Sequence, residues 1–496
     1  MRQLGIIRNP YVLRGLTAVV IVGLLGLAVW IGYAWYQSRL PASYNAMDYG
    51  VMDYGGGAPQ NHAEHPHVRV DALTGPQRGT PDVRVTLTAE QAEIRLDSGR
   101  TVEAWSFDGQ VPGPELRIRQ GDLVEATLVN KDIDEGVTIH WHGVDVPNAE
   151  DGVAGVTQNA VMPGRRHTYR FRADQVGTFW YHSHQASSEQ VRRGLYGALV
   201  IVPRKPPAAG TLDLATIVHD LGGRPALGHS DEVQRRAVEP GTPVRLRLVN
   251  SNDSPERFVL SGTPFRVVGI DGTDVNGPTP VEGQAIQVGG GARYDLAFDM
   301  PDSAVRLGVV GSDAALSLSA DGRTDPPEAE AGPDFDPAGY GRPAPTPFDD
   351  VRFDRSFELK IGKSFGFLDG RPGRHWSING RIFPDTPMYV VRPSDLVSMR
   401  IVNDTNAVHP MHLHGHHALV LSRNGRPVMG SPWWVDTLNV LANEEYEIAF
   451  RATNPGLWMD HCHNLVHAGD GLTMHVVYEG AWTPFELGDG AGNHPE

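Results

Sequence analysis

Three consecutive β domains behind one membrane-spanning helix form the all-β architecture that this 496-residue sequence predicts, and three observations predict it. A strand-like decapeptide occurs three times, as GDLVEATLVN ending at Asn130, GTPVRLRLVN at Asn250 and SDLVSMRIVN at Asn403. Each copy alternates apolar and polar residues with β-branched enrichment, the mark of a strand with one buried face. Recurrence at domain spacing marks recurring domains. Paired histidines are duplicated between the first and third units, and a charge-free apolar run lies near the N-terminus.

That run, LTAVVIVGLLGLAVWIGYAWY at 16–36, has the ~20 residues a helix needs to cross a bilayer. It exceeds the ~7–15 residues of a usual signal-peptide core, so an uncleaved anchor is expected. Arg2, Arg8 and Arg14 precede it and only Arg39 follows closely. The positive-inside tendency then leaves 1–15 in the cytoplasm and the bulk of the chain outside it, in a single-pass protein of the cell membrane. No Arg-Arg pair precedes the run, so no twin-arginine signal is evident.

Residues 37–81 are rich in Gly, Pro and polar side chains, with a doubled MDYG and the stretch NHAEHPH. They read as a flexible linker whose Met and His side chains offer ligands to a metal ion. The domains follow at 82–205, 206–345 and 346–482, with a tail at 483–496; the joints are VPRKPPAAG, Val202 to Gly210, and the acidic, Pro-rich stretch from Asp325 to Asp350. A formal charge of −16 without a basic run argues against a nucleic-acid partner. One cysteine, Cys462, rules out an intramolecular disulfide.

Chemistry is carried by the duplicated histidines. HWHG begins ten residues after Asn130 and HLHG nine after Asn403, while GTFWYHSH (Gly177 to His184) matches GLWMDHCH (Gly456 to His463). The middle unit has YDLAF at Tyr294, echoing YEIAF at Tyr446, but no histidine pair follows, which makes it a spacer. Residues two apart in a strand share a face. The pairs His140/His142, His182/His184, His412/His414 and His461/His463 can therefore face one space, with Cys462 on the opposite side. His409, three before His412, also faces away from the pair, and His467 can return from a loop to join Cys462. Two imidazoles and a thiolate form a blue-copper electron-transfer set, whereas zinc more often takes four closed ligands.

HWHG, YHSH, HPMHLHGH and HCHNLVH resemble the four copper motifs of three-domain, laccase-like multicopper oxidases, in that family's order, and the resemblance covers about 82–480. It implies three cupredoxin-type Greek-key barrels and four copper ions. Carried over by motif, the type 1 copper takes His409, Cys462 and His467, and the type 2 copper takes His140 and His412. One type 3 copper takes His142, His182 and His463; the other takes His184, His414 and His461. Cys462 lies between His461 and His463, so electrons pass from type 1 to the three-copper cluster through a few covalent links, about 10 Å by sheet dimensions.

Dioxygen reduction consumes protons, and Asp151 matches the acidic residue that the family places after its first motif. Where relatives carry further acids this chain has Ala468 and Leu465, which leaves Asp470 as a weak candidate for a second route. The axial position, five residues after His467, is Leu472, with Met474 nearby but out of step. The resemblance implies an oxidase that takes single electrons from phenols or aromatic amines and reduces dioxygen to water. The alternative is a metallo-oxidase acting on cuprous, ferrous or manganous ions. Relatives that keep the barrels as structural proteins have lost copper ligands, whereas every ligand position is filled here.

Overall fold

The fold is taken from a computed structural model, which describes residues 10–57, 67–205 and 210–496. Two sheets form each of three β domains. In the first, one sheet runs in the order Thr101–Phe107, Val83–Arg95, Leu123–Asn130, Arg166–Arg172, and the other in the order Gly113–Arg119, Tyr196–Val202, Gly177–His182, His140–His142. The second domain stacks a six-stranded sheet on a five-stranded one. The third stacks a sheet built around Arg355–Leu368 and Leu396–Asn403 on one containing Pro387–Val391, Thr473–Tyr478, Leu457–Cys462, His409–Leu413 and Thr437–Val440.

The three decapeptides occupy one structural position. Each strand runs parallel to the first long strand of its domain and antiparallel to a later one. The asparagine that closes each copy is buried, because its side-chain amide ties the strand end to loop carbonyls. Asn130 donates to Ile133 and Val161, Asn250 to Ser254 and Val288, and Asn403 to Ala407 and Val440. Buried amides are retained where every group finds a partner.

The apolar run forms the helix Pro10–Gln37, longer than the charge-free segment, and none of its described side chains is buried. A helix apolar on all sides and uncovered by protein suits lipid rather than water. Arg2 and Arg8 fall outside the described residues.

The linker differs from expectation. Val51–Asp53 adds a parallel edge strand to Pro387–Val391, Tyr44 bridges to Leu487, and the Asn45 amide donates to the carbonyls of Thr483 and Phe485. These bonds strap 44–53 to the third domain and to the tail that follows it, so this part is no flexible tether. His62 and His65 of the NHAEHPH stretch fall outside the described residues. The tail 483–496 is also docked, reaching back into the first domain.

Candidate metal centres

Cys462 ends the strand Leu457–Cys462, and its Sγ is fully buried with His409 Nδ1 at 3.6 Å and His467 Nδ1 at 3.9 Å. His409 starts the strand His409–Leu413, which pairs beside it; His467 comes from the short helix Leu465–Gly469, capped by the Asn464 side chain. Trp376 lies against both imidazoles, with ring centroids 4.8 Å from His409 and 4.4 Å from His467. Burial pushes the thiol well up and the two histidines down, His409 to about 3 and His467 to about 4. Neutral imidazoles stand ready as ligands, whereas the thiolate needs a cation beside it.

Across the strand, the other eight histidines are buried between the first and third domains. His140 Nε2 faces His412 Nε2 at 3.4 Å, and His414 Nε2 faces His461 Nε2 at 3.2 Å. His142, His182 and His463 form one close triad, and His184, His414 and His461 another. Burial, then the neighbouring imidazoles, hold His142, His182, His184, His412, His414 and His463 well below the usual histidine range.

The outer ring nitrogens decide what the inner ones can do. Nδ1 of His140, His412, His182 and His184 lies on the carbonyls of Asp151, Asp436, Ser183 and Pro495, at 2.9, 2.9, 2.9 and 3.0 Å. A carbonyl can only accept, so these Nδ1 atoms carry the protons and each Nε2 presents a lone pair inward. Among the described residues, Nε2 of His182 and His184, Nδ1 of His142 and both nitrogens of His463 have no hydrogen-bond partner, although they are buried. Converging lone pairs with no donor fit metal ions. All-imidazole donors on one side and a thiolate with two imidazoles on the other fit copper.

Asp151 is buried and touches two rings at once. Its carboxylate lies 3.0 Å from His414 Nδ1 and 3.1 Å from His140 Nδ1. The turn that carries it needs Gly152, at φ +77°, because a Cβ there would collide with the Ile139 carbonyl. Leu472 is buried, and its carbonyl accepts from the Cys462 amide at 3.1 Å. The pairing His461↔Thr473 puts Leu472 level with Cys462, while Met474 lies opposite Asp460, two residues or about 7 Å further along.

Other placements differ from the sequence reading. Asp470 is exposed at the end of the helix carrying His467, on the thiolate side. A further carboxyl beside the eight-histidine group is Glu496, with Oε1 3.2 Å from His461 Nδ1 and burial raising it to about 8. Leu465 and Ala468 are buried packing residues. The second domain is more than a spacer. Its Gly291, at φ +81°, passes so close to His142 and His463 that a Cβ would lie 2.9 Å from each ring. Its Arg293, fully buried, reaches across to hold Asp436 in a bidentate pair at 2.6 and 2.5 Å. Asp436 lies 3.3 Å from His142 Nε2. Partners separated by 143 residues leave no local signal in a single sequence.

Family models described as multicopper oxidase match residues 88–206, 180–306 and 357–481. The chain is 26% identical over 467 residues to the multicopper oxidase MmcO of Mycobacterium tuberculosis, covering 80% of this chain and 87% of that protein. Laccase-2 of Botryotinia fuckeliana is 28% identical over 488 residues, covering 80% and 83%. Among solved structures, a multi-copper oxidase from Pseudomonas thermotolerans superposes with a TM-score of 0.66 at 29% identity, covering 80% of this chain and 99% of that one.

Proposed function

As the chain belongs to the multicopper oxidase family, with three cupredoxin-type domains, four copper ions and dioxygen as electron acceptor, we propose that its electron donors are phenols or aromatic amines. One observation carries this choice over metal ions. The half-buried His467 lies against Trp376, and Lys363 Nζ sits 3.8 Å from the centroid of that same indole. An ammonium held over that indole at the electron-entry edge repels cuprous, ferrous and manganous ions and attracts phenolate. Oxygen uptake with a panel of phenols and reduced metal ions tests this. Phenols should turn over faster, and Lys363→Glu should raise their KM while lowering that for ferrous ion. Faster turnover of metal ions by the unaltered protein would sink the reading.

We assign His409, Cys462 and His467 to type 1 copper and His140 and His412 to type 2. His142, His182 and His463 are assigned to one type 3 copper, and His184, His414 and His461 to the other. Four coppers supply four one-electron stores, the number that takes dioxygen to two waters. The protein's part is to fix the rings through their outer nitrogens, to exclude bulk water by burying all eight cluster histidines, and to deliver protons. Asp151, bonded to a ring of the type 2 pair and a ring of the type 3 set, is the carboxylate we assign to proton delivery.

The helix Pro10–Gln37 serves in this reading as an uncleaved, single-pass anchor with the three domains outside the cytoplasm. Its length and apolar composition support that. The intact protein should stay in the membrane fraction after a high-salt wash; a mature N-terminus beyond Tyr36 in the soluble fraction would make the segment a signal peptide.

A further inference from the structure

The anchor does not end in a slack linker. Its last turn is bonded to the turn of one hairpin of the third domain, formed by the strands Arg355–Leu368 and Arg371–Ile378. Ser38 Oγ accepts from the Gly370 amide at 3.1 Å, Asp369 accepts from the Leu40 amide at 3.1 Å, and Arg39 lies 3.4 Å from the same carboxylate. The strap 44–53 then holds the following chain along the same domain. Three polar contacts thus join the end of the membrane helix to the turn of this hairpin.

This hairpin is the one that covers the type 1 edge. Trp376, against His409 and His467, lies six residues beyond Gly370, about 20 Å of strand at most. On the other strand the buried Leu368 packs towards Gly471, where a Cβ would lie 3.6 Å from its Cδ1, next to Leu472. Cross-strand partners on the Trp376 face are Lys363, opposite Trp376, and Phe365, opposite Arg374. Phe365 is 88% exposed, an unusual position for a phenylalanine in water.

The charge of the hairpin opposes that of the chain. Lys363, Arg371 and Arg374 are exposed on the half nearer the turn, and Asp369 is the one acid between 360 and 381, in a protein of net charge −16; at the far end Arg381 is exposed and Lys360 is paired with Asp404 at 3.1 Å. A polybasic surface beside a spanning helix is drawn to anionic headgroups, and an exposed aromatic ring sits well at their level. Trp30, Tyr33, Trp35 and Tyr36, all exposed, crowd the helix end nearest the hairpin, where an aromatic belt marks the interface.

We propose that this hairpin seats the type 1 edge on the bilayer surface, so that the electron donor is a hydroquinone with an apolar tail, taken from the lipid. This rests on the phenol reading above and narrows it. Each hydroquinone gives up two electrons, one at a time, at the Trp376–His467 edge, and releases two protons to interfacial water. Two hydroquinones and one dioxygen give two quinones and two waters. Partitioning into the bilayer raises the donor's concentration where the edge lies, a gain that a tail-less phenol does not share.

The test uses the full chain, copper-loaded, in vesicles containing phosphatidylglycerol. A fluorophore placed at position 365 through Phe365→Cys leaves the buried Cys462 unlabelled. It should be quenched by brominated lipid and shielded from aqueous iodide, whereas the same label at Asp313→Cys in the second domain should behave oppositely. With unlabelled protein, decylhydroquinone should show a lower KM than hydroquinone. Arg371→Glu with Arg374→Glu should raise the KM for decylhydroquinone about tenfold, keep that for hydroquinone, and expose the probe at 365 to iodide. A probe at 365 that iodide quenches fully in the unaltered background, or equal effects of the double variant on both donors, would overturn the seating while leaving the phenol reading intact. Failure to oxidise either hydroquinone alongside rapid oxidation of ferrous or cuprous ions would overturn the phenol reading itself.

Discussion

His414 and His461 point their Nε2 atoms at each other across 3.2 Å, and the outer nitrogen of each is already engaged, by Asp151 at 3.0 Å and by the Cys462 carbonyl at 3.2 Å. With both Nδ1 atoms protonated, two lone pairs oppose each other in a buried site. Such a contact costs free energy unless a cation lies between them. Chelating the copper should therefore lower the unfolding midpoint measured by calorimetry, and copper should restore it. Binding to the folded state alone contributes about 4 kcal/mol at a free concentration ~1,000 times Kd. An unchanged midpoint would mean that the histidines are relaxed without metal.

Cys462→Ser removes the soft ligand while keeping the strand. The blue thiolate-to-copper absorption should vanish, with the three cluster coppers still bound by metal analysis; a blue variant would exclude the type 1 assignment. Because burial raises the thiol above its ordinary range, it is protonated at neutral pH without metal, and copper must expel that proton. Type 1 copper affinity should therefore fall as pH falls, and a pH-stat should record one proton fewer released on loading Cys462→Ser.

Asp151→Asn keeps size and hydrogen-bonding capacity but removes the carboxylate shared by His140 and His414. Reoxidation by dioxygen should slow about a hundredfold, with reduction of type 1 by substrate unchanged. Stopped-flow measurement of the two half-reactions separates them, and equal reoxidation rates would remove Asp151 from the proton route.

Arg293→Met leaves Asp436 buried without its bidentate partner, beside His142. The variant should lose ~3–5 kcal/mol of stability in denaturant titration, as broken buried pairs do. Adding Asp436→Asn should recover part of the loss. A loss below ~1 kcal/mol would show that His417, 3.2 Å from the same carboxylate, suffices as its counter-ion.

The difference between these residues shows what a sequence carries. Alternation along a strand made the faces of His461, Cys462 and His463 legible, because period two is a local rule. The recurring strands that end in Val-Asn likewise disclose three domains, because their alternation is local, whereas the bonds from each asparagine to its loops are not. Arg293, Glu496 and the strap at 44–53 were illegible for one shared physical reason. Each takes its meaning from a partner far along the chain, and loop closure leaves no periodic trace. The strap read as linker because Asp48, Gly50 and Asp53 suit a solvated tether, while the parallel pairing that orders 51–53 is made by backbone groups that any sequence offers.

Leu472 stands level with Cys462 in the paired strand, and Met474 lies two residues away along it. A thioether at the axial place donates electron density and stabilises cupric over cuprous ion; an alkyl side chain cannot donate and keeps water off the metal, which favours the reduced state. Type 1 should thus have a high potential, suited to phenols that are hard to oxidise. Leu472→Met should lower it by tens of millivolts, where ~59 mV is tenfold in a one-electron equilibrium. The swap nearly conserves volume, so stability should change by less than ~1.5 kcal/mol and the potential can be read in a folded protein. Redox titration of both proteins gives the answer. An unchanged or higher potential in Leu472→Met would move the axial role to another group, and Met474→Leu would then be the variant whose potential shifts.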